Sequence, residues 1–315
     1  MRFNGFLFVK KPPYKTPYLM STNWPNFFIV GAAKAGTTSL YRFLAQHPQV
    51  FMSGIKEPHF FSAVSPRKEQ KDIVKTVSDE RCYRRLFEGS AGYIAVGESS
   101  PSYLSELGTA ERINRIIPDA KAIILLRDPI ARAHSHYLMD VRTGIQRQSF
   151  WDAIQSDYAK SEKGWGVSHM YVELGMYHLQ VKHYLDVFGR KRVLILTSEE
   201  LSLRTCDALC RVAMFLGIDP AQFKEVDVTY PHNQFAAPSS KFALSVLRSQ
   251  WVKLTVRLVT SVKFRQHLRD RFLLAKTAKP EIDAQTKEFL RSIYEPELEK
   301  LEALLETPMP SLKRW

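Results

Sequence analysis

The chain has 315 residues, a net charge of +13 and three cysteines, Cys82, Cys206 and Cys210. That length is enough for one large α/β domain with a sizeable core, while the cysteines make no disulfide framework and no structural-zinc spacing and are read as core thiols. The charge points to anionic partners or an acidic surface; no recognised nucleic-acid motif accompanies it.

Residues 1–25 mix basic, proline and aromatic residues, among them Lys10, Lys11, Pro12, Pro13, Tyr14, Lys15, Pro17 and Tyr18. They read as an arm that wraps or frays. Its apolar stretch, Phe6 to Val9, is too short for a signal-peptide core or a membrane span. Residues 27–31, Phe-Phe-Ile-Val-Gly, predict a buried strand. Ala32 to Ser39 then form a small-residue turn, and Leu40, Tyr41, Phe43 and Leu44 carry a helical pattern. A strand, a loop of free N–H groups and a helix N-terminus form a ready site for a phosphate-like anion. Gly31 and Gly36 let the backbone approach it, Lys34 adds a point charge, and Thr37, Thr38 and Ser39 add hydrogen bonds. This is not a Walker A loop, where lysine follows the second glycine. Here Lys34 precedes Gly36, and Thr37 fills the lysine's place. The plain alternative is a tight turn with a solvated lysine.

Next comes the short apolar stretch Val50-Phe51-Met52, then Lys56-Glu57-Pro58-His59-Phe60-Phe61. Glu57 or His59 can serve as a base if it is positioned and tuned. A surface Lys56–Glu57 pair beside core aromatics is the bland reading. Tyr93 to Tyr103 reads as another strand ending in a turn. Lys121 to Leu126 is a further strand, ending in Arg127-Asp128-Pro129, with Ser135 in the helical pattern beyond. An arginine fork and a serine hydroxyl can grip one phosphate from two sides. Otherwise Asp128 caps a helix with Pro129 in its first turn, or imitates a Walker B acid.

Leu174 to Phe188 is helical in pattern and ended by Gly189, and Arg190 to Leu196 predicts the next parallel strand. Strands alternating with helices imply a mainly parallel central sheet with helices on both faces. No internal repeat or low-complexity segment interrupts it. By composition, Tyr230 to Lys241 is a loop. From Lys241 to Lys279, apolar residues alternate with Arg248, Lys253, Arg257, Lys263, Arg265, Arg269, Arg271 and Lys276. This reads as helical. It suits a glycolipid, a polyanionic saccharide or a membrane surface, or else is an outer helix with a solvated basic face.

The motifs carry a family resemblance. Gly-x-x-Lys-x-Gly-Thr-Thr-Ser, residues 31–39, resembles the 5′-phosphosulfate loop of sulfotransferases that use 3′-phosphoadenosine-5′-phosphosulfate (PAPS). Leu-Arg-Asp-Pro-x-x-Arg-x-x-Ser-x-Tyr, residues 126–137, resembles that family's 3′-phosphate loop. The two lie in the family's order, roughly 90 residues apart. Glu57-Pro58-His59-Phe60-Phe61 resembles the acceptor-side motif of the heparan-sulfate branch, whose base is that glutamate. The small-molecule branch more often uses a histidine. One position departs: Ser99 stands where heparan-type enzymes carry a lysine, which puts a heparan-like acceptor in doubt.

The resemblance spans roughly residues 26 to 240. It implies a three-layer P-loop-like α/β fold: an arm at 1–25, a core at 26–240 and a basic helical C-terminal extension at 241–315 packed on that core. It also implies PAPS as donor, 3′-phosphoadenosine-5′-phosphate (PAP) as product and no metal. Lys34, Ala35, Gly36, Thr37, Thr38 and Ser39 hold the 5′ side, Arg127 and Ser135 the 3′-phosphate, and Ser240 and Lys241 add contacts from a closing loop. Glu57 is the base, with Lys34 and His59 beside it. The acceptor is a carbohydrate or glycolipid, with peripheral membrane contact through the basic segment. Eukaryotic carbohydrate sulfotransferases usually carry a Golgi anchor, and none is read in this sequence, so the expectation is a cytoplasmic enzyme, peripheral to the inner membrane face, of bacterial type or separated from its anchor. The rival readings are a P-loop kinase-like phosphotransferase and a non-catalytic saccharide- or membrane-binding protein on the same scaffold.

Overall fold

Five strands carry the architecture in the computed structural model, which describes residues 23–62, 76–164, 168–227, 236–238, 274–276 and 279–315. They are β1 (Phe27–Gly31), β2 (Val50–Met52), β3 (Ala95–Ser99), β4 (Lys121–Leu126) and β5 (Val193–Thr197). They form one sheet in the order β2-β3-β1-β4-β5, and every neighbouring pair is parallel. β1 and β3 are buried at every residue. A parallel sheet demands this, because its crossovers cover both faces and leave no solvated side. Phe27 lies opposite Gly97, and a Cβ on Gly97 would run into the Phe27 ring. That close approach is why β3 carries a glycine mid-strand.

The chain divides into two compact units. The first takes the described residues up to Arg127 and again from Tyr177 to Asp227. It contains the whole five-stranded sheet with α1 (Thr37–Leu44), α2 (Glu80–Arg85), α3 (Thr109–Ile116), α6 (Tyr177–Phe188), α7 (Ser198–Leu203) and α8 (Thr205–Leu216). Its core centres on Phe27, Phe28, Ile29, Leu40, Ile123 and Leu125, all fully buried. Gly189, at φ 74°, ends the α6 segment as the sequence predicts. Because the strands run parallel, the loops after β1, β2, β3 and β4 leave the same carboxyl edge, the usual ligand edge of such sheets.

The second unit takes Asp128–Met176 and the described residues from 236 onward. It holds α4 (Pro129–Thr143), α5 (Phe150–Tyr158), the antiparallel pair β6 (Ala236–Pro238) and β7 (Leu274–Lys276), and α9 (Ala284–Leu305). Asp128 caps α4 by accepting from the Ala131 N–H at 2.6 Å, with Pro129 in the first turn, which is the alternative that the sequence offered for Asp128. Ile130, Ala133, Ile154, Tyr171, Leu290 and Tyr294 pack together as its core.

The cysteines correct an expectation. All three are exposed. Cys206 and Cys210 lie one turn apart on α8, whose inward positions are taken by Ala208, Leu209, Val212, Ala213 and Leu216. The helical period therefore leaves both thiols outside the core. Among the described residues, no helix is long and apolar enough to cross a membrane. Residues 1–22 of the arm, Ser240, Lys241 and most of the basic segment 241–279 lie outside the described residues.

Candidate active site

The first piece is the turn after β1. Leu104 N–H donates to Val30 C=O at 2.8 Å and Ala32 N–H to Leu125 C=O at 2.6 Å, so the strand's end is held from both sides. A side chain at Gly31 would lie 2.5 Å from Leu104 Cβ, which explains the glycine. Lys34 then adopts φ 69° and Gly36 φ 98°, both left-handed. Gly36 opens α1 with no side-chain cap, so no side chain occupies the cap of that first turn. Lys34 is half-buried, Ala35 and Thr37 are buried, and Thr38 and Ser39 are half-buried.

Arg127, at the end of β4, reaches this turn. Its Nη1 donates to the Lys34 C=O at 2.9 Å, and its own C=O accepts from Tyr177 Oη at 2.8 Å. Two residues from separate sequence motifs are thus brought together. Ser135 sits half-buried on α4, in the second unit.

The third piece is the loop after β2. Tyr41 Oη on α1 donates to Ser53 C=O at 2.5 Å, and Ser53 N–H donates to Gly97 C=O at 2.9 Å. Beyond it, Glu57 and His59 adopt φ 63° and 53°. Lys56 Nζ bonds Glu57 Oε1, while His59 Nε2 lies 3.7 Å from Glu57 Oε2. The Glu57 side chain is 41% exposed and the His59 side chain only 4%. Burial pulls the His59 pKa down to about 4, the opposing pull of Glu57 being smaller. Its imidazole is therefore neutral around pH 7, with Nδ1 2.9 Å from Ser102 Oγ. Aromatic packing supports the loop: Phe60 stacks on Tyr83 at 4.2 Å, and Phe61 meets Phe28, Tyr83 and Tyr103 edge-on.

The turn after β3 underlies this loop, and sequence reasoning drew from it only the Ser99 departure. Glu57 N–H donates to Ser99 C=O at 3.0 Å. His59 N–H donates to Ser100 Oγ and Phe61 N–H to Tyr103 Oη, each at 3.1 Å. Ser99 itself is fully buried, and its Oγ has no hydrogen-bond partner. The available signal was the hydroxyl-rich run Ser99-Ser100-Pro101-Ser102-Tyr103 directly after a strand. Among the described residues, no group of three His, Cys, Asp or Glu side chains is arranged to hold a metal ion.

Comparison with known proteins agrees with this layout. A crystal structure of a sulfotransferase from Alicyclobacillus acidocaldarius superposes with a TM-score of 0.69 at 31% identity, covering 92% of this chain and 99% of that one. Human heparan sulfate glucosamine 3-O-sulfotransferase 6 is 29% identical over 206 residues, 62% of this chain and 53% of the relative. Mouse carbohydrate sulfotransferase 15 is 24% identical over 262 residues, 64% of this chain and 45% of the relative. The chain thus spans about half the length of the curated relatives it matches. The family model described as "Sulfotransferase domain" matches residues 25–303, and the chain therefore belongs to the sulfotransferase domain family.

Proposed function

We propose that the chain transfers the sulfuryl group of PAPS to a hydroxyl, or an amine, of a carbohydrate or glycolipid, with Glu57 as general base. One observation carries this reading. Among the described residues, the non-glycine residues at positive φ are Asn23, Lys34, Glu57, His59, Met170 and Glu306. Three of these are the residues that the motifs nominate for chemistry, in loops after β1 and β2. A left-handed non-glycine residue costs on the order of 1–3 kcal/mol, and such strain gathers at working sites.

The roles follow from the chemistry. Glu57 takes the acceptor's proton as the acceptor oxygen or nitrogen bonds to sulfur. The bond from sulfur to the 5′-phosphate oxygen breaks in line, and PAP leaves. Charge resides on peripheral oxygens, so the protein chiefly positions and neutralises. Lys34, Ala35 and Gly36, with the N–H groups and hydroxyls of Thr37, Thr38 and Ser39, would stabilise the leaving phosphate. Arg127 and Ser135 would hold the 3′-phosphate and select PAPS over other adenylates. The Glu57 carboxylate is 41% exposed and within reach of an incoming acceptor, whereas the His59 ring is buried, which favours Glu57 as base and leaves His59 to orient the acceptor.

The curated relatives are named for heparan sulfate and carbohydrate sulfation, and this supports a saccharide acceptor. Ser240, Lys241 and the basic segment 241–279 belong to this proposal as the closing loop and as an acceptor- or membrane-facing surface. A cytoplasmic setting belongs to it too. The deciding experiment incubates the protein with PAPS and a panel of heparan sulfate, chondroitin sulfate and glycolipids, read by mass spectrometry. A mass gain of one sulfuryl group on one acceptor class supports the reading. PAPS that binds yet sulfates nothing in the panel counts against it.

A further inference from the structure

Glu98, in β3, has no exposed surface, and the roles above leave it without a task. Its carboxylate is surrounded by hydroxyls. Tyr83 of α2 and Tyr103 donate to Oε1 at 2.8 and 2.9 Å, and Ser100 donates to Oε2 at 2.8 Å. Two of those hydroxyl oxygens also accept from the acceptor-side loop, Ser100 Oγ from His59 N–H and Tyr103 Oη from Phe61 N–H. A hydroxyl has one proton and two lone pairs. While the carboxylate takes the proton, the lone pairs are left facing the loop. A protonated Glu98 must itself donate, so one hydroxyl has to turn its own proton elsewhere.

We propose that Glu98 is the positioning residue of the acceptor-side loop: its carboxylate fixes the direction of the Ser100 and Tyr103 hydroxyls, and these hold the backbone that presents Glu57 and His59. The inference rests on the reading that this loop serves the acceptor. The groups facing Glu98 are Tyr83 from α2, Ser100 and Tyr103 from its own turn, Glu57 from the loop and, from α6, Tyr184, whose hydroxyl donates to the Tyr103 C=O at 3.0 Å. Burial raises its pKa to about 7, the three hydroxyls oppose that rise, and the Glu57 charge adds to it. Straps made by the ionised form therefore assemble as pH rises through neutrality, and turnover rises with them.

The test uses the full chain with PAPS as donor and heparan sulfate as the acceptor probe. Hydrogen exchange at the His59 and Phe61 amides is followed in parallel. Glu98→Gln keeps the shape but offers an N–H₂ group where a hydroxyl needs an acceptor. Both amides should then exchange faster, and turnover should fall about tenfold or more. The acidic limb near pH 7 should flatten, while PAP affinity by calorimetry stays within about twofold, because the donor loop is untouched. Ser100→Ala should expose the His59 amide more than the Phe61 amide, and Tyr103→Phe the reverse. These two variants carry the test if Glu98→Gln does not fold. Unchanged exchange at both amides would overturn the proposal, as would faster exchange with turnover and pH profile unaltered. Glu57→Gln is run alongside. Wild-type turnover in that variant, or no sulfation of heparan sulfate by the wild type, counts against the catalytic reading and leaves the exchange result to judge Glu98.

Discussion

Glu57 sits at an exposed position with an ammonium on one side and a buried, neutral imidazole on the other. At 41% exposure the carboxylate is open to an incoming acceptor, as the proposed base role requires. Glu57→Gln keeps the size but cannot take a proton, so turnover should fall by roughly 10²–10⁴-fold. PAP affinity should hardly change, because Glu57 is assigned to the acceptor and not to the nucleotide. Steady-state rates and calorimetry on the same preparation check both. His59→Ala is the control and should weaken acceptor use more mildly. A dead His59→Ala beside a near-normal Glu57→Gln would make histidine the base and move the protein towards the small-molecule branch. Residue identity at Glu57 and His59 was legible in the sequence; their left-handed backbone was not. That conformation arises because Glu57, His59 and Phe61 are pinned through their N–H groups to a turn some forty residues later in the chain.

At the scale of elements, the donor-binding reading depends on two loops meeting. β1 lies between β3 and β4, so the turn after β1 has the end of β4 beside it. Arg127 makes that contact through the Lys34 carbonyl. PAP should therefore bind far better than AMP, since losing the 3′-phosphate removes charge-assisted bonds worth roughly 1.5–3 kcal/mol each. Calorimetry with both ligands decides it, and equal affinities would mean that Arg127 and Ser135 have been misassigned. The strands were readable because full burial demands continuous apolar runs, as in Phe27 to Val30 and Ala122 to Leu126. The cysteines of α8 were misread as core because residue type alone does not say which face of a helix turns inward.

At the scale of the whole molecule, two buried groups pull stability in opposite directions with pH. The folded pKa of Glu98 is raised from 4.5 to about 7, so its contribution is present below pH 4.5 and is lost as pH rises to 7. The folded pKa of His59 is lowered from 6.5 to about 4, so its contribution is present above 6.5 and is lost as pH falls to 4. In the wild type these partly offset each other between pH 4 and 7. Glu98→Gln should leave the His59 loss uncompensated, giving a melting temperature that falls more steeply on acidification. Thermal melts at several pH values across that window test this. Metal dependence is the other global property. Lys34 and the loop N–H groups supply fixed positive charge, and a sulfuryl group needs less neutralisation than a terminal phosphoryl group. Turnover should persist in excess chelator. Activity lost in EDTA and restored by magnesium would favour a kinase-like reaction.

By itself the sequence determined the sheet's strands, their alternation with helices and the glycine-spaced turn that follows β1. Each of these is written locally, in an apolar run, a glycine spacing or a motif a few residues long. Only the tertiary structure decided that Arg127 reaches the Lys34 turn and that the His59 side chain is buried while that of Glu57 is exposed. It also decided that Glu98, a buried residue of β3, is linked through Ser100 and Tyr103 to the loop after β2. Those facts depend on strand order and on hydrogen bonds between segments far apart in the chain. Local sequence carries no record of which distant hydroxyl will meet which backbone N–H.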